Sequence, residues 1–503
     1  MFLLAIIYLI FSNAITLLSV ITVYFVITKI YSDYQIRAKL PPGPRNWPLI
    51  GNLESISGAT SKTFVEWSKK YGPVIGLQMG SSPTIILNDW PSIKDAFSQD
   101  TTLARPKDNI FSIIGPEGFG SMSGQVWREQ RRFLLHKFRD LGFGKTSMED
   151  HIIDEINHLS ELIDKTLDTE TNTRELFGIS VSNNVSSFIF GRRLDYLDNN
   201  KKVIDELVKP NPSLSLTSAF AQFPAVSRFV VNKLSFLLPQ SNNDLQKLFD
   251  NICNIMKNEI KSHEKTLDSN NFRDYMDAFI TESQKNANDS KTSFNNQMLV
   301  ANSMNLYGAG TATTTQTLEW SLLVLATHPE VQLKIQKEID DIIGRYEIPK
   351  YGYRNQMPYL QAFIYEVLRY RSIVPIDLPR STSEDTIIGG HKIPKGTQIL
   401  ANFWAIDNDP KLWDNPQVFK PERFLKDNGT TFFRPDHFIP FSYGKRSCPG
   451  EVLGLAEIFL YIVSLLQKYD IKPTKNTDTT LDYKIQFSVI PKAEPVVCFN
   501  KRV

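Results

Sequence analysis

The chain has 503 residues, and 56 Lys and Arg against 54 Asp and Glu leave a net charge of 56 − 54 = +2, so no global basic field argues for nucleic acid and any charged docking face is local. Hydrophobic residues make up 42%, with 32 Phe, enough for a large core and an apolar pocket. Three scattered cysteines, Cys253, Cys448 and Cys498, exclude a disulfide framework and place the folded part in a reducing compartment. No repeat or low-complexity linker divides the chain, which predicts an anchor at 1–28, a basic and proline-rich hinge at 29–52, and one large domain at 53–503.

Met1 to Thr28 carries no charged side chain and exceeds the roughly 20 residues needed to cross a bilayer. It lacks the basic leader of a signal peptide, and its apolar run is too long for one, so the segment reads as a retained transmembrane anchor. Lys29, Arg37 and Lys39 follow directly, which predicts a single-pass protein with its folded domain in the cytosol. The sequons at Asn184, Asn288 and Asn428 are then expected to carry no glycan.

Prolines 41, 42, 44 and 48 preset extended backbone and predict a stiff spacer. Val74 to Leu87 reads as two strands around Gly80-Ser-Ser-Pro83. Arg105 to Gly124 holds Gly115, Pro116, Gly118, Gly120 and Gly124, too many breakers for a helix, around Ile110, Phe111 and Ile113, which are candidates for a pocket wall. Trp127 and Arg131 share one helix face, and Arg132, Lys137 and Arg139 continue a basic stretch. From His151 to Lys285 the pattern is mainly helical, and Phe220, Phe223, Phe229 and Phe236 suggest a substrate lid or membrane-dipping segment.

Phe294 to Thr327 is the longest helical run, ended by His328-Pro329, and at 1.5 Å per residue it spans about 50 Å. Its centre, Tyr307 to Thr317, is rich in glycine and threonine, which predicts a local distortion. Ala309 and Gly310 would let a flat ligand approach the backbone. Helices are also expected from Pro329 to Ile343 and from Pro358, the second carrying Glu366 and Arg369 one turn apart. Near the C-terminus, Cys448 directly precedes a helix-like run from Glu451 to Lys468, a position that favours a thiolate. Gly444 and Gly450 would let backbone pass close to a ligand and to the sulfur.

Phe441-x-x-Gly444-x-Arg446-x-Cys448-x-Gly450 resembles the haem-binding signature of the cytochrome P-450 family, the haem-thiolate monooxygenases. Trp127-x-x-x-Arg131, Ala309-Gly-Thr-Ala-Thr-Thr314, Glu366-x-x-Arg369 and Pro421-Glu-Arg-Phe424 resemble its other motifs, in the family's order. The likeness runs from Pro41 to the last strands. It implies a mainly α fold with small β-sheets (α+β) and a long central helix over haem b, iron protoporphyrin IX.

On the same resemblance, Cys448 is the axial ligand of the iron. Trp127, Arg131, Arg380, Arg446 and His437 face the propionates, and Phe441, Gly444, Ala309 and Gly310 line the haem. Thr313 is the oxygen-binding threonine, while Glu366, Arg369 and Arg423 form a buried structural network. Ile110, Phe111, Ile113, Ile373, Val374, Ile376 and Phe487 are substrate-pocket candidates. Asp377 in that stretch would either recognise a polar substrate group or face solvent.

The implied activity inserts one atom of O2 into a lipophilic molecule, with NADPH electrons delivered by a separate flavoprotein reductase docking near Arg132, Lys137 and Arg139. The implied site is the endoplasmic reticulum membrane. One departure matters: Ala312 stands where the family usually has an acid, so Thr313 must work through water or a more distant acid such as Glu319. Two other readings stay open, a reductase-independent isomerase or dehydratase acting on a peroxide substrate, and a catalytically silent haem or lipid binder.

Overall fold

The computed structural model describes residues 2–53, 60–107, 116–142, 146–209 and 240–502. Ile110, Phe111 and Ile113, and the four phenylalanines between 220 and 236, lie outside them. In chain order the helices are α1 Phe2–Arg37, α2 Thr60–Tyr71, α3 Trp90–Ser98, α4 Gly124–Asp140, α5 Thr146–Asp164, α6 Thr173–Phe190, α7 Asn199–Asp205, α8 Gln240–Thr266, α9 Tyr275–Lys285, α10 Asn296–Thr327, α11 Pro329–Ile342, α12 Pro358–Arg371, α13 Phe403–Asp407 and α14 Glu451–Lys468. The fold is thus mostly helical with small sheets.

Strands Val74–Met79 and Ser82–Leu87 pair antiparallel. The second runs parallel to Gln398–Ala401, which takes Arg380–Ser381 at its other edge. The proline-rich hinge is fastened to this sheet, because the Gly76 N–H donates to the Pro42 carbonyl (3.0 Å) and the Arg37 guanidinium to that of Pro41 (2.9 Å). A Cβ on Gly43 would lie 2.0 Å from the Gly76 oxygen, so only glycine permits that approach. Among the described residues no helix is long and apolar enough to cross a membrane. Most side chains of Met1–Thr28, on which the anchor expectation rests, lie outside the described residues.

The Asn295 side chain caps α10 by accepting from the Met298 N–H (2.9 Å), and Pro329, lacking a donor, starts the next helix. The expected distortion is absent: α10 runs unbroken through its glycine and threonine centre. There the Thr313 and Thr317 hydroxyls donate to carbonyls one turn back, at 2.9 and 2.8 Å, and their polarity is absorbed locally. The largest core packs the C-terminal half of α10 against α11, α12 and α14, around the buried Trp320, whose indole N–H donates to the Val489 carbonyl (2.9 Å).

Between α8 and α9, His263 meets the Glu259 carbonyl through Nδ1 (2.8 Å) and the Asp274 carboxylate through Nε2 (3.0 Å). Both carboxylates of the compact His263, Asp274 and Asp277 cluster are committed. Asp274 also caps α9, and Asp277 accepts two bonds from Arg273, at 2.6 and 2.7 Å. The cluster is therefore an ion-paired helix joint. Burial lowers the imidazole's proton affinity, but the bonds to Asp274 and Glu259 outweigh it and the net shift is upward from 6.5. The folded state binds this proton more tightly than the unfolded chain, so its contribution is complete below pH 6.5 and is lost as pH rises through the raised value. The urea midpoint is expected to fall over that window, and Asp274→Asn should flatten this part of the pH profile.

Candidate active site

The loop ahead of α14 is shaped by positive φ at Ser442 (67°) and Gly444 (75°), and the Cys448 N–H donates back to the Phe441 carbonyl (2.8 Å). The Phe441 ring packs against the main core. A Cβ on Gly444 would lie 2.2 Å from the Phe97 carbonyl oxygen, so packing against α3 by itself requires glycine here. Gly310 is similar, since its Cβ would meet Val185 on α6 at 3.0 Å, which assigns it to helix packing. A Cβ on Gly450 would stand 3.9 Å from the Cys448 sulfur, an ordinary contact, so closeness to sulfur does not demand glycine there. Gly444→Ala forces both a left-handed φ and a backbone clash, and should cost about 1–3 kcal/mol. A lowered thermal midpoint and reduced haem content of the purified protein would register it.

Helix α4 brings Trp127 and Arg131 to this loop. Trp127 is buried beneath Arg446, whose guanidinium carbon lies 3.8 Å from the indole centroid, and Arg131 donates to the Ser447 carbonyl (2.6 Å). Arg380 donates to Ser442 Oγ and the Tyr443 carbonyl, both at 3.0 Å, and stacks on Phe97. Arg105, a group the sequence reading passed over, joins from the glycine-rich segment by donating to the carbonyls of Gly120, Leu378 and Pro379. Its only advance signal was a cation beside a glycine-rich apolar stretch.

These four guanidiniums face one carboxylate. Asp377 lies 3.5 Å from Arg380 and accepts from Ser442 Oγ (2.8 Å), so it is neither a substrate contact nor a solvated turn residue. Among the described residues, four cations less one anion leave +3 within the cluster. Burial, and then Arg105, Arg380 and Arg131, push Arg446 down to about 8. Burial pushes Arg380 down to about 10, with Asp377 opposing. Since a guanidinium keeps its proton in proteins, burial and like charge together favour an anion beside the cluster. Nε and Nη1 of Arg380 are buried without a partner among the described residues. A dicarboxylate such as the two haem propionates fits this demand.

His437 is not brought to the cluster. Its ring packs edge-on against Trp413 at 4.9 Å, and burial lowers its pKa with only Asp436 and Asp409 opposing. The Cys448 thiol is pushed up to about 11 by burial, against a backbone N–H from Gly450 and the nearby Arg131. The helix start therefore does not ionise it unaided, and a bound metal cation is what would. Cys448 is nevertheless exposed, as is Ala309 on the otherwise largely buried α10, where Thr313 is half-buried.

Glu366 accepts from Arg369 twice at 2.7 Å and from Arg423 at 3.1 Å. Glu319 is held at 3.1 Å by both arms of Arg174, so it is not free to serve the threonines. Of the apolar candidates, Ile373 is buried in the main core and Val374 packs beside it. Ile376 packs with the sheet cluster, and Phe487 is 67% exposed.

A family model of cytochrome P450 matches residues 41–499. The chain is 36% identical to cytochrome P450 2J3 of Rattus norvegicus, covering 90% of this chain and 89% of that protein. It is 35% identical to cytochrome P450 2C8 of Homo sapiens, over 92% of this chain and 94% of that one. With the loop, the arginine cluster and the long helix in place, the matched span takes in nearly the whole described fold, and the chain belongs to the cytochrome P450 family of monooxygenases.

Proposed function

We propose that the protein is a membrane-anchored monooxygenase that oxidises lipophilic substrates with electrons from an NADPH-dependent flavoprotein reductase. The carrying observation is the cluster of Arg105, Arg131, Arg380 and Arg446 facing one carboxylate beside the Cys448 loop. In this reading the four arginines hold the haem propionates, Trp127 supports Arg446 from below, and the Cys448 sulfur bonds the iron. Haem, when bound, supplies the activation of O2. Ser442 positions Arg380 and Asp377, while Thr313 holds a proton at Oγ1 on the substrate side. Met1–Thr28 is the anchor, 29–52 the hinge, and 53–503 the domain facing the cytosol from the endoplasmic reticulum.

The test is reconstitution of the full chain with a microsomal reductase in lipid vesicles, scored as NADPH-dependent oxidation of lipophilic compounds that shift the haem spectrum. Failure of every such compound to yield product would sink the proposal. Ala312 favours a second reading, an isomerase or dehydratase that needs no reductase. Product formed from a lipid hydroperoxide without NADPH would select it.

A further inference from the structure

Asp377 is an acid set in an otherwise apolar stretch, Ile373 to Pro379, and the fold carries it to the arginine cluster. Its backbone N–H donates to the Ala401 carbonyl (3.0 Å), which fixes the chain at this point. One carboxylate oxygen accepts from the Leu378 N–H (2.9 Å) and the other from Ser442 Oγ (2.8 Å), beside Arg380 at 3.5 Å. The side chain is only 14% exposed. Burial pushes Arg105 and Arg380 down, and at both Asp377 is the foremost group opposing it.

The hydrogen bonds do not call for a charge here. Both donors to Asp377, a backbone N–H and a hydroxyl, are neutral, and an asparagine amide would accept from the first and donate to the second. Burying an acid costs desolvation, so a charge that the bonding does not need must serve something else. Nor does it serve the grip on a dicarboxylate. Two propionates against the four guanidiniums would leave +2, and Asp377 lowers that to +1 while placing a like charge beside them. A cluster shaped for grip alone would hold more tightly without it.

A fixed negative charge does change the balance between two oxidation states. One-electron reduction of a haem iron adds one negative charge, so cations nearby favour the ferrous form and an anion favours the ferric. Ser442, which holds Asp377, belongs to the loop whose Phe441 carbonyl takes the Cys448 N–H (2.8 Å), so the carboxylate is fastened to the frame that carries the sulfur. We propose that Asp377 sets the reduction potential of the bound haem, its charge offsetting part of the arginine cluster and favouring ferric iron. Asp377 acts across Arg380 and Ser442, as a positioning residue. The inference rests on the reading of the cluster as the propionate site.

The midpoint of the ferric–ferrous couple, measured by spectroelectrochemistry on the full-length, haem-loaded protein without substrate, tests it. Asp377→Asn keeps the size and the hydrogen bonds and removes the charge. Its midpoint should rise by about 59 mV, a tenfold larger ferrous-to-ferric ratio at a given potential, the scale of one unit charge acting across a protein interior. Asp377→Glu should return the midpoint toward the wild type, and Asp341→Asn, in an exposed surface pair, should leave it unmoved. Haem should also pass more slowly from Asp377→Asn to excess apomyoglobin, because the propionates lose a like-charged neighbour.

An unchanged or lowered midpoint in Asp377→Asn overturns the inference. So does an equal shift in Asp377→Asn and Asp377→Glu, which would trace it to geometry rather than charge, and so does equal or faster haem release from Asp377→Asn. If Asp377→Asn does not hold haem, Asp377→Ser, which keeps a hydroxyl for Ser442 and carries no charge, decides by the same midpoint. Should the wild type itself lack the carbon-monoxide band of a thiolate haem, the haem reading fails, a result distinguishable from a midpoint that does not move.

Discussion

Cys448→Ser protein is expected to fold, to show none of the thiolate signature in its reduced, carbon-monoxide-treated spectrum, and to lose turnover to background. Burial pushes the thiol up to about 11, against the Gly450 N–H and Arg131, a direction that favours the protonated sulfur in the haem-free chain. Bonding to iron would displace that proton, because a metal cation stabilises a thiolate far more than a helix end or one guanidinium can. Haem loading should therefore release about one proton per chain, measurable in weakly buffered solution, and the serine variant should release none. Protein atoms surround the sulfur closely enough to desolvate it although the residue keeps accessible surface, and the loop is held by the Cys448 N–H to the Phe441 carbonyl. The backbone should tolerate the change, as circular dichroism would show. Indistinguishable carbon-monoxide spectra from the two proteins would refute the assignment of the ligand.

Arg369→Leu should bring the largest loss of stability. Glu366 and Arg369 have side chains with no exposure at all. The carboxylate collects four donors, two from Arg369 at 2.7 Å, Arg423 Nε at 3.1 Å and the Lys420 N–H at 2.9 Å. Arg369 also donates to the Asp407 carbonyl (2.9 Å), tying α12 to α13. Removing the arginine leaves a buried carboxylate with only Arg423 to balance it, at a cost of about 3–5 kcal/mol. Set against a total of about 5–15 kcal/mol for a folded domain, most of the expressed protein should be haem-free or aggregated, and the urea midpoint of the remainder should drop sharply. Asp341→Ala, which removes a surface pair whose side chains are 75% and 58% exposed, should leave that midpoint unchanged. A similar midpoint for both variants would mean that the buried network contributes no more than a surface pair.

Local patterns carried far in this chain. The strand pair around Gly80, the prolines that open α11 and α12, and the span of α14 are decided by neighbouring residues through propensity, turn chemistry and missing donors, and they stand where those signals put them. Glycines were harder to interpret, because a residue without Cβ fits equally well against a ligand or a neighbouring helix. Gly310 and Gly444 serve Val185 and Phe97, contacts across more than a hundred positions that no local pattern encodes. That Asp377, Arg105 and Ser442 act together had no local signal, since their joint role arises only when four separated segments converge on Arg380 and Arg446.

By itself the amino-acid sequence determined the helical class and the order of the motifs and singled out the cysteine on which the proposed chemistry turns, since each depends on residue type and short spacing. Only the tertiary structure decided which charges end up balanced. Among the described residues, four guanidiniums gather near one carboxylate, Glu319 is taken by Arg174, and Glu457 is buried with no cation beside it. The physical reason is that the cost of a buried charge depends on what the fold places within a few ångströms of it, irrespective of separation along the chain.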